Sequence, residues 1–190
     1  MTERRTFSNV TKRYLSRFDE ILDEMIQGMT DAPLTDSISH NFIVQMIPHH
    51  RAAIEMSRNL LQYTTFVPLQ NIACRIIEEQ TRSIAQMEAA LDQCSELENT
   101  EQERSLYRRR TEQIMQGMFA RMKNACSVND INISFMREMI PHHQGAIQMS
   151  ENALRFPICP QLDPILQAII VSQRKGVREM EQLLRCGPRC

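Results

Sequence analysis

The sequence contains no tryptophan, only 5 glycines and 8 prolines in 190 residues, and 5% aromatic residues. So few turn formers argue against a many-stranded β fold, whereas abundant Leu, Ile, Met, Glu, Gln and Arg favour an all-α chain. Neither sign of charge is in excess: 22 basic against 23 acidic side chains leave a formal net charge of −1. Without a basic surplus, nucleic acid is disfavoured as a partner. No run approaches eighteen uncharged apolar residues, and the N-terminal MTERRTFSNVTKRYL has no apolar stretch like that of an export signal. The expectation is a soluble, cytoplasmic protein with no membrane partner. In that reducing compartment the six cysteines, at 74, 94, 126, 159, 186 and 190, are expected as thiols and not as a disulfide framework.

What is present is sulfur and repetition. The chain has 13 methionines and 6 cysteines, and 42% of it is apolar, enough for a buried core. Compared with itself, it shows MIPHHRAAIEMS at 46–57 and MIPHHQGAIQMS at 139–150, identical at nine of twelve positions with an offset of 93. At that offset the repeat runs without gaps over about 36–92. Phe42 meets Phe135, Asn59 meets Asn152, Ile76 meets Ile169, Gln80 meets Gln173 and Met87 meets Met180. Upstream, Ile26-Gln27-Gly28-Met29 resembles Met115-Gln116-Gly117-Met118 at an offset of 89, which predicts that the two halves differ by four residues in the following loop.

Each half reads as three helices. The first is near 4–29, with Val10, Tyr14, Phe18, Ile21, Leu22, Met25 and Met29 at helical spacings, and its counterpart is near 101–124. The second helices run about 37–62 and 130–155. The third run about 69–94 and 163–185, with Pro68 and Pro164 suited to a first turn. The halves, about 4–94 and 101–186, are expected to form a single helical domain over 1–190, because two helices alone cannot bury their apolar stripe. The predicted core includes Phe42, Ile43, Ile47, Ile54 and their second-half counterparts.

Four of the five histidines lie in the repeated motif as His49-His50 and His142-His143, each pair flanked by methionines. At about 100° per residue, Met46, His49 and Met56 share one face, and His50 lies about 40° to the other side of Met46. Pro48 and Pro141 signal either a kink or the start of a new helical segment. Imidazole and thioether without an aligned serine or carboxylate are poor material for hydrolysis, and no enzymatic role is expected. They suit a soft ion such as Cu(I), with Ag(I) as its mimic. Mg²⁺ and Ca²⁺ want oxygen donors, and zinc gains little from methionine. The competing structural reading makes the histidines packing residues and the methionines core filler. A di-iron oxidase is disfavoured because no Glu-x-x-His occurs. The alternative function is a metal-independent helical interaction module with a Met-rich groove for an unknown protein partner. A homo-oligomer is also compatible with the sequence.

The pattern Phe-x3-Met-Ile-x-His-His-x2-Ala-Ile-x-Met followed by Ile-x3-Gln-x6-Met, present twice, resembles the domain of unknown function family 305. The first copy is Phe42, Met46, Ile47, His49, His50, Ala53, Ile54, Met56, Ile76, Gln80 and Met87. The second is Phe135, Met139, Ile140, His142, His143, Ala146, Ile147, Met149, Ile169, Gln173 and Met180. The resemblance implies a ferritin-like four-helix bundle and, in CopM-like members, binding of copper through Met and His. The ligands it implies are Met46, His49, His50, Met56 and Met87, with Met139, His142, His143, Met149 and Met180 in the second half. Met25, Met29, Met115 and Met118 rank second. The cysteines are not part of that pattern, and the terminal Cys186-Gly-Pro-Arg-Cys190 reads as a frayed tail with incidental thiols ahead of a thiolate clip for Cu(I). Because imidazole must be deprotonated to bind, uptake is expected to weaken as pH falls through about 6.5.

Overall fold

The computed structural model describes residues 7–186 and consists of six helices with no strand among those residues. They are α1 (Asn9–Thr30), α2 (Ile38–Leu61), α3 (Val67–Cys94), α4 (Glu101–Lys123), α5 (Ile131–Ala153) and α6 (Leu162–Cys186). Local chemistry sets their ends. The Ser37 hydroxyl accepts from the His40 N–H to start α2, and Asp130, 93 residues on, accepts from Asn132 and Ile133 to start α5. Thr100 and Glu103 form a reciprocal capping box on α4. Ser8 caps α1, so the described helix begins later than residue 4; residues 4–6 lie outside the described chain.

The helices form three layers of two. α2 and α5 pack on each other at the centre, α3 and α6 pack together on one side, and α1 and α4 lie over α2 and α5 on the other. The central pair is therefore buried on several faces. This explains why polar Asn41, Gln45, Ser57 and Asn59 are buried in α2 alongside Phe42, Ile43 and Met46. Asn59 donates to the Tyr14 carbonyl at 3.1 Å and Asn152 to the Tyr107 carbonyl at 3.2 Å, pinning each outer helix to its central one. Of the predicted core, Phe42, Ile43, Ile47, Ile54, Phe135 and Met136 are buried, while Ile140 and Ile147 are half-buried. Val10 is 49% exposed and leaves the α1 stripe.

Two expectations are corrected. First, the halves keep the offset of 93 throughout. The buried residues Tyr14, Phe18, Ile21, Leu22, Met25 and Met29 of α1 correspond to Tyr107, Thr111, Ile114, Met115, Met118 and Met122 of α4. Tyr14 stacks edge-on against Tyr63 just as Tyr107 does against Phe156, so the loops after α1 and α4 are equal in length. The offset of 89 misled because four residues turn a helix by about 400°, which is nearly the same face.

Second, Cys94 and Cys159 are not thiols but a disulfide, with Cα atoms 5.2 Å apart. It joins the C-terminus of α3 to the loop before α6. Ser37 donates to the Cys94 carbonyl, and the Cys159 N–H donates to Ser39. Cys74, Cys126 and Cys186 are free and exposed. The supposed terminal clip lies partly outside the described residues. No described helix is long and apolar enough to cross a membrane.

Candidate metal centre

The two motif helices carry their prolines in the interior, Pro48 within α2 and Pro141 within α5, so neither proline opens a new helix. Each removes one helical N–H donor just before the histidine pair. The α1 backbone comes close at this point: a Cβ on Gly28 would lie 2.9 Å from Cβ of Pro48.

The pseudo-twofold axis relating the halves passes between His49 and His142. Their rings stack with centroids 3.6 Å apart and planes inclined by 28°. The contact is reciprocal: Nε2 of His49 lies 3.2 Å from the His142 carbonyl, and Nε2 of His142 lies 3.1 Å from the His49 carbonyl. A carbonyl can only accept, so each Nε2 carries the hydrogen and donates. In a neutral ring the other nitrogen, Nδ1, then holds a bare lone pair. Both Nδ1 atoms are buried with no hydrogen-bond partner.

Neutrality follows from burial. Desolvation lowers all four ring pKa values, bringing His50 to about 3 and His142 to about 4. His49 and His143 are held well below the usual imidazole range by burial first, then by their histidine neighbours. Proton competition for these rings therefore lies below pH 6.5, not at it, which revises the pH expected for weakened uptake.

His50 and His143 flank the stack, with ring centroids 5.9 Å from His49 and His142 respectively. His50 Nε2 is 3.2 Å from the Ser83 hydroxyl. The counterpart of Ser83 is Gly176, where a Cβ would lie 2.8 Å from the His143 ring, so the α6 backbone rests directly on that imidazole. Nδ1 of both flanking rings is also unpartnered, as are both amide atoms of Gln80 and Oε1 of Gln173. These two glutamines were visible as matches in the repeat. Their amides are not soft-metal ligands, and nothing in the sequence marks them as more than part of the repeat.

Met46 and Met56 on α2 and Met139 and Met149 on α5 are buried on the histidine helices themselves, and Met87 on α3 and Met180 on α6 are buried on the helices packed against them. Met25, Met29, Met115 and Met118 are buried on the outer layer, where Met115 sulfur lies 3.6 Å from Nε2 of Gln45. All twelve methionines among the described residues are buried, so they do not form the adaptable surface groove considered above. Among the described residues, no three His, Cys, Asp or Glu side chains converge as a metal-ion cluster. The candidate donors buried on α2, α3, α5 and α6 are imidazoles and thioethers. His40, the fifth histidine, stands apart at the start of α2 against Ser95 and the Pro33 carbonyl.

Solved structures with the same fold include CopM in a silver-bound form, at 26% identity and a TM-score of 0.60, covering 81% of this chain and 99% of that one. CopM in a Cu(II)-bound form gives 27% identity, a TM-score of 0.60, and coverage of 78% and 96%. A fragment of a domain of unknown function, DUF305, from Deinococcus radiodurans shares the fold at 24% identity and a TM-score of 0.58, covering 82% and 100%. No curated protein matches the chain significantly. The model of the domain of unknown function DUF305 matches residues 39–184, both copies of the histidine motif included, and the chain belongs to that family.

Proposed function

We propose that the protein binds a soft monovalent metal ion, Cu(I) with Ag(I) as its mimic, for sequestration, homeostasis or sensing, and that it is not an enzyme. The observation that carries this reading is the His49–His142 pair. Each ring donates its Nε2–H to a backbone carbonyl and keeps a buried, unprotonated Nδ1. This is how metal-ligating histidines are held, oriented through one nitrogen and free at the other. Lone pairs lie in the ring plane, so two stacked rings cannot both aim at an ion between them. Two pseudo-symmetric sites follow, His49 with Met46, Met56 and Met87, and His142 with Met139, Met149 and Met180. His50 and His143 stand beside them.

Ion charge favours the same choice. The candidate ligands are neutral and buried, and the cost of burying an ion grows as the square of its charge. A monovalent ion bears about a quarter of the desolvation of a divalent one there. CopM has been solved with silver, a monovalent ion, and also with Cu(II), a divalent one, so the preference for a single charge rests on the neutral, buried donors.

The test is anaerobic competition for Cu(I), and for Ag(I), against a chelator of known affinity. His49→Ala with His142→Ala should weaken binding about a hundredfold or more. Met56→Leu with Met149→Leu should weaken binding while helicity persists and stability stays within about 1.5 kcal/mol of the wild type. Wild-type protein that takes up neither ion, or a double histidine variant that binds as tightly as wild type, would refute the assignment and leave the motif as bundle packing.

A further inference from the structure

The two halves are not equivalent in how their histidines meet the surface. A cavity of about 240 Å³ opens between α3 and α6. It starts at the pseudo-twofold axis, where Gln80 and Gln173 face it from the two halves, and extends toward His50, which lines it, and not toward His143. The mouth on the His50 side includes Ala168 and Gln86, both exposed.

Their counterparts, 93 residues away, are Arg75 and Glu179. These two form an ion pair between α3 and α6, and Arg75 also lies 3.9 Å from Glu79. The pair bridges the two helices at the positions that Ala168 and Gln86 leave open on the other side, so the closure is steric. Behind the pair, Gly176 lets the α6 backbone cover His143, whereas the corresponding Ser83 leaves a hydroxyl against His50. On the open side Glu79, Gln86, Ser83 and Ser172 supply oxygen atoms that can replace part of an ion's hydration as it enters, and the one cation in the lining, Arg82, is paired with Glu78 at 2.7 Å.

The geometry points to a one-sided port: the α3–α6 cavity admits a soft monovalent cation to His50, and the Arg75–Glu179 ion pair closes the pseudo-symmetric route to His143. Ions for both halves then pass His50 first. The inference rests on the metal-binding reading above and adds to it the path and its direction.

The experiment moves the plug. Silver nitrate is mixed in chloride-free buffer with wild type, with Ala168→Arg/Gln86→Glu, and with Arg75→Ala/Glu179→Gln, and uptake is followed by stopped-flow competition with a chromogenic chelator. Extraction of bound silver by excess chelator is timed as well. All four substituted side chains are at the surface or half-buried, and thermal unfolding confirms that each variant is folded.

Closing the port should slow uptake and extraction alike, by about tenfold or more, while the equilibrium affinity stays within about twofold. Opening the sealed side should speed both by about twofold, as a second route becomes available in parallel. Unchanged rates in the Ala168→Arg/Gln86→Glu protein, with silver still bound, would overturn the port and leave the binding reading standing. A wild type that takes up no silver would overturn both. A loss of affinity at unchanged rates of entry would place the cavity residues among the ligands and also overturn the port.

Discussion

Lowering the pH from 7.5 to 5.5 should destabilise the metal-free protein by about 3 kcal/mol, and the value follows from five buried groups. In the unfolded chain each histidine titrates near 6.5, while in the fold the four central rings stay neutral through this whole window. The unfolded state therefore binds more protons as pH falls, and stability is lost from about pH 6.5 downward. Each ring contributes about 1.4 kcal/mol over the interval, or about 5.5 kcal/mol for four.

Glu138 acts in the opposite sense. Burial raises its carboxyl to about 8, and Tyr14 donates to it at 2.7 Å. Protonated in the fold and ionised in the unfolded chain, it weakens the protein most at high pH and gives back about 2.5 kcal/mol between pH 7.5 and 5.5. Urea unfolding of the disulfide-intact protein at each pH measures the difference, expected as a fall in midpoint of roughly 1–3 M at constant m-value. Glu138→Gln removes the offset, so its loss should approach about 5.5 kcal/mol. The pseudo-symmetric position holds Gln45, which shows that glutamine fits such a site. Stability that is flat or rising toward pH 5.5, or a Glu138→Gln protein with the same pH slope as wild type, would refute the claim that the histidines are buried and neutral.

Further outcomes follow from the same packing. Equilibrium silver binding by folded protein should show little proton competition between pH 7 and 5.5, because the rings are neutral throughout, and titration at the two pH values checks it. Gly28→Ala should destabilise by about 1–3 kcal/mol in denaturant melts despite a helix-propensity gain of about 1 kcal/mol, since its Cβ would meet the rigid Pro48 ring. Replacing both Cys94 and Cys159 with serine opens a loop with a sequence separation of 65 and should cost up to about 4 kcal/mol. Mass mapping after alkylation, with and without reductant, should find Cys74, Cys126 and Cys186 modified first and the Cys94–Cys159 pair only after reduction.

How much of this was legible depended on whether the signal was local or duplicated. Helix starts near 37, 101 and 130 were readable from periodicity and the repeat, and the caps at Ser37, Thr100 and Asp130 fall there because a capping side chain acts within three residues of its own position. The motif helices were readable because the repeat marks them twice. The disulfide was not, because it violates the repeat: the counterpart of Cys94 is Gly187 and that of Cys159 is Phe66, so no self-comparison pairs them. Face arithmetic placed His49 with Met46 and Met56. It could not show that the pseudo-twofold axis runs between His49 and its own counterpart, because a residue touches its symmetry mate only on the axis, and where the axis runs is a property of packing.

The duplicated architecture also supplies an internal control on what each position is for. If the histidine motif were kept only to fill the bundle, the residues packed around it should be as alike between halves as the histidines themselves, since close packing couples neighbours by volume. They are not. The stacked rings, their carbonyl partners and the six inner methionines match between halves, but Ser83 faces Gly176, Ala168 faces Arg75, Gln86 faces Glu179, and Gln45 faces Glu138. The first three differences lie along one line, from the His50 and His143 rings outward to solvent between α3 and α6. Symmetry is retained at the rings, at the inner methionines and at Gln80 and Gln173, and is lost further out between α3 and α6, where the cavity opens on one side only. Weak packing at exposed positions lets a structural duplication diverge there too, so the port variants, which transfer one half's residues to the other, are what separate the two explanations.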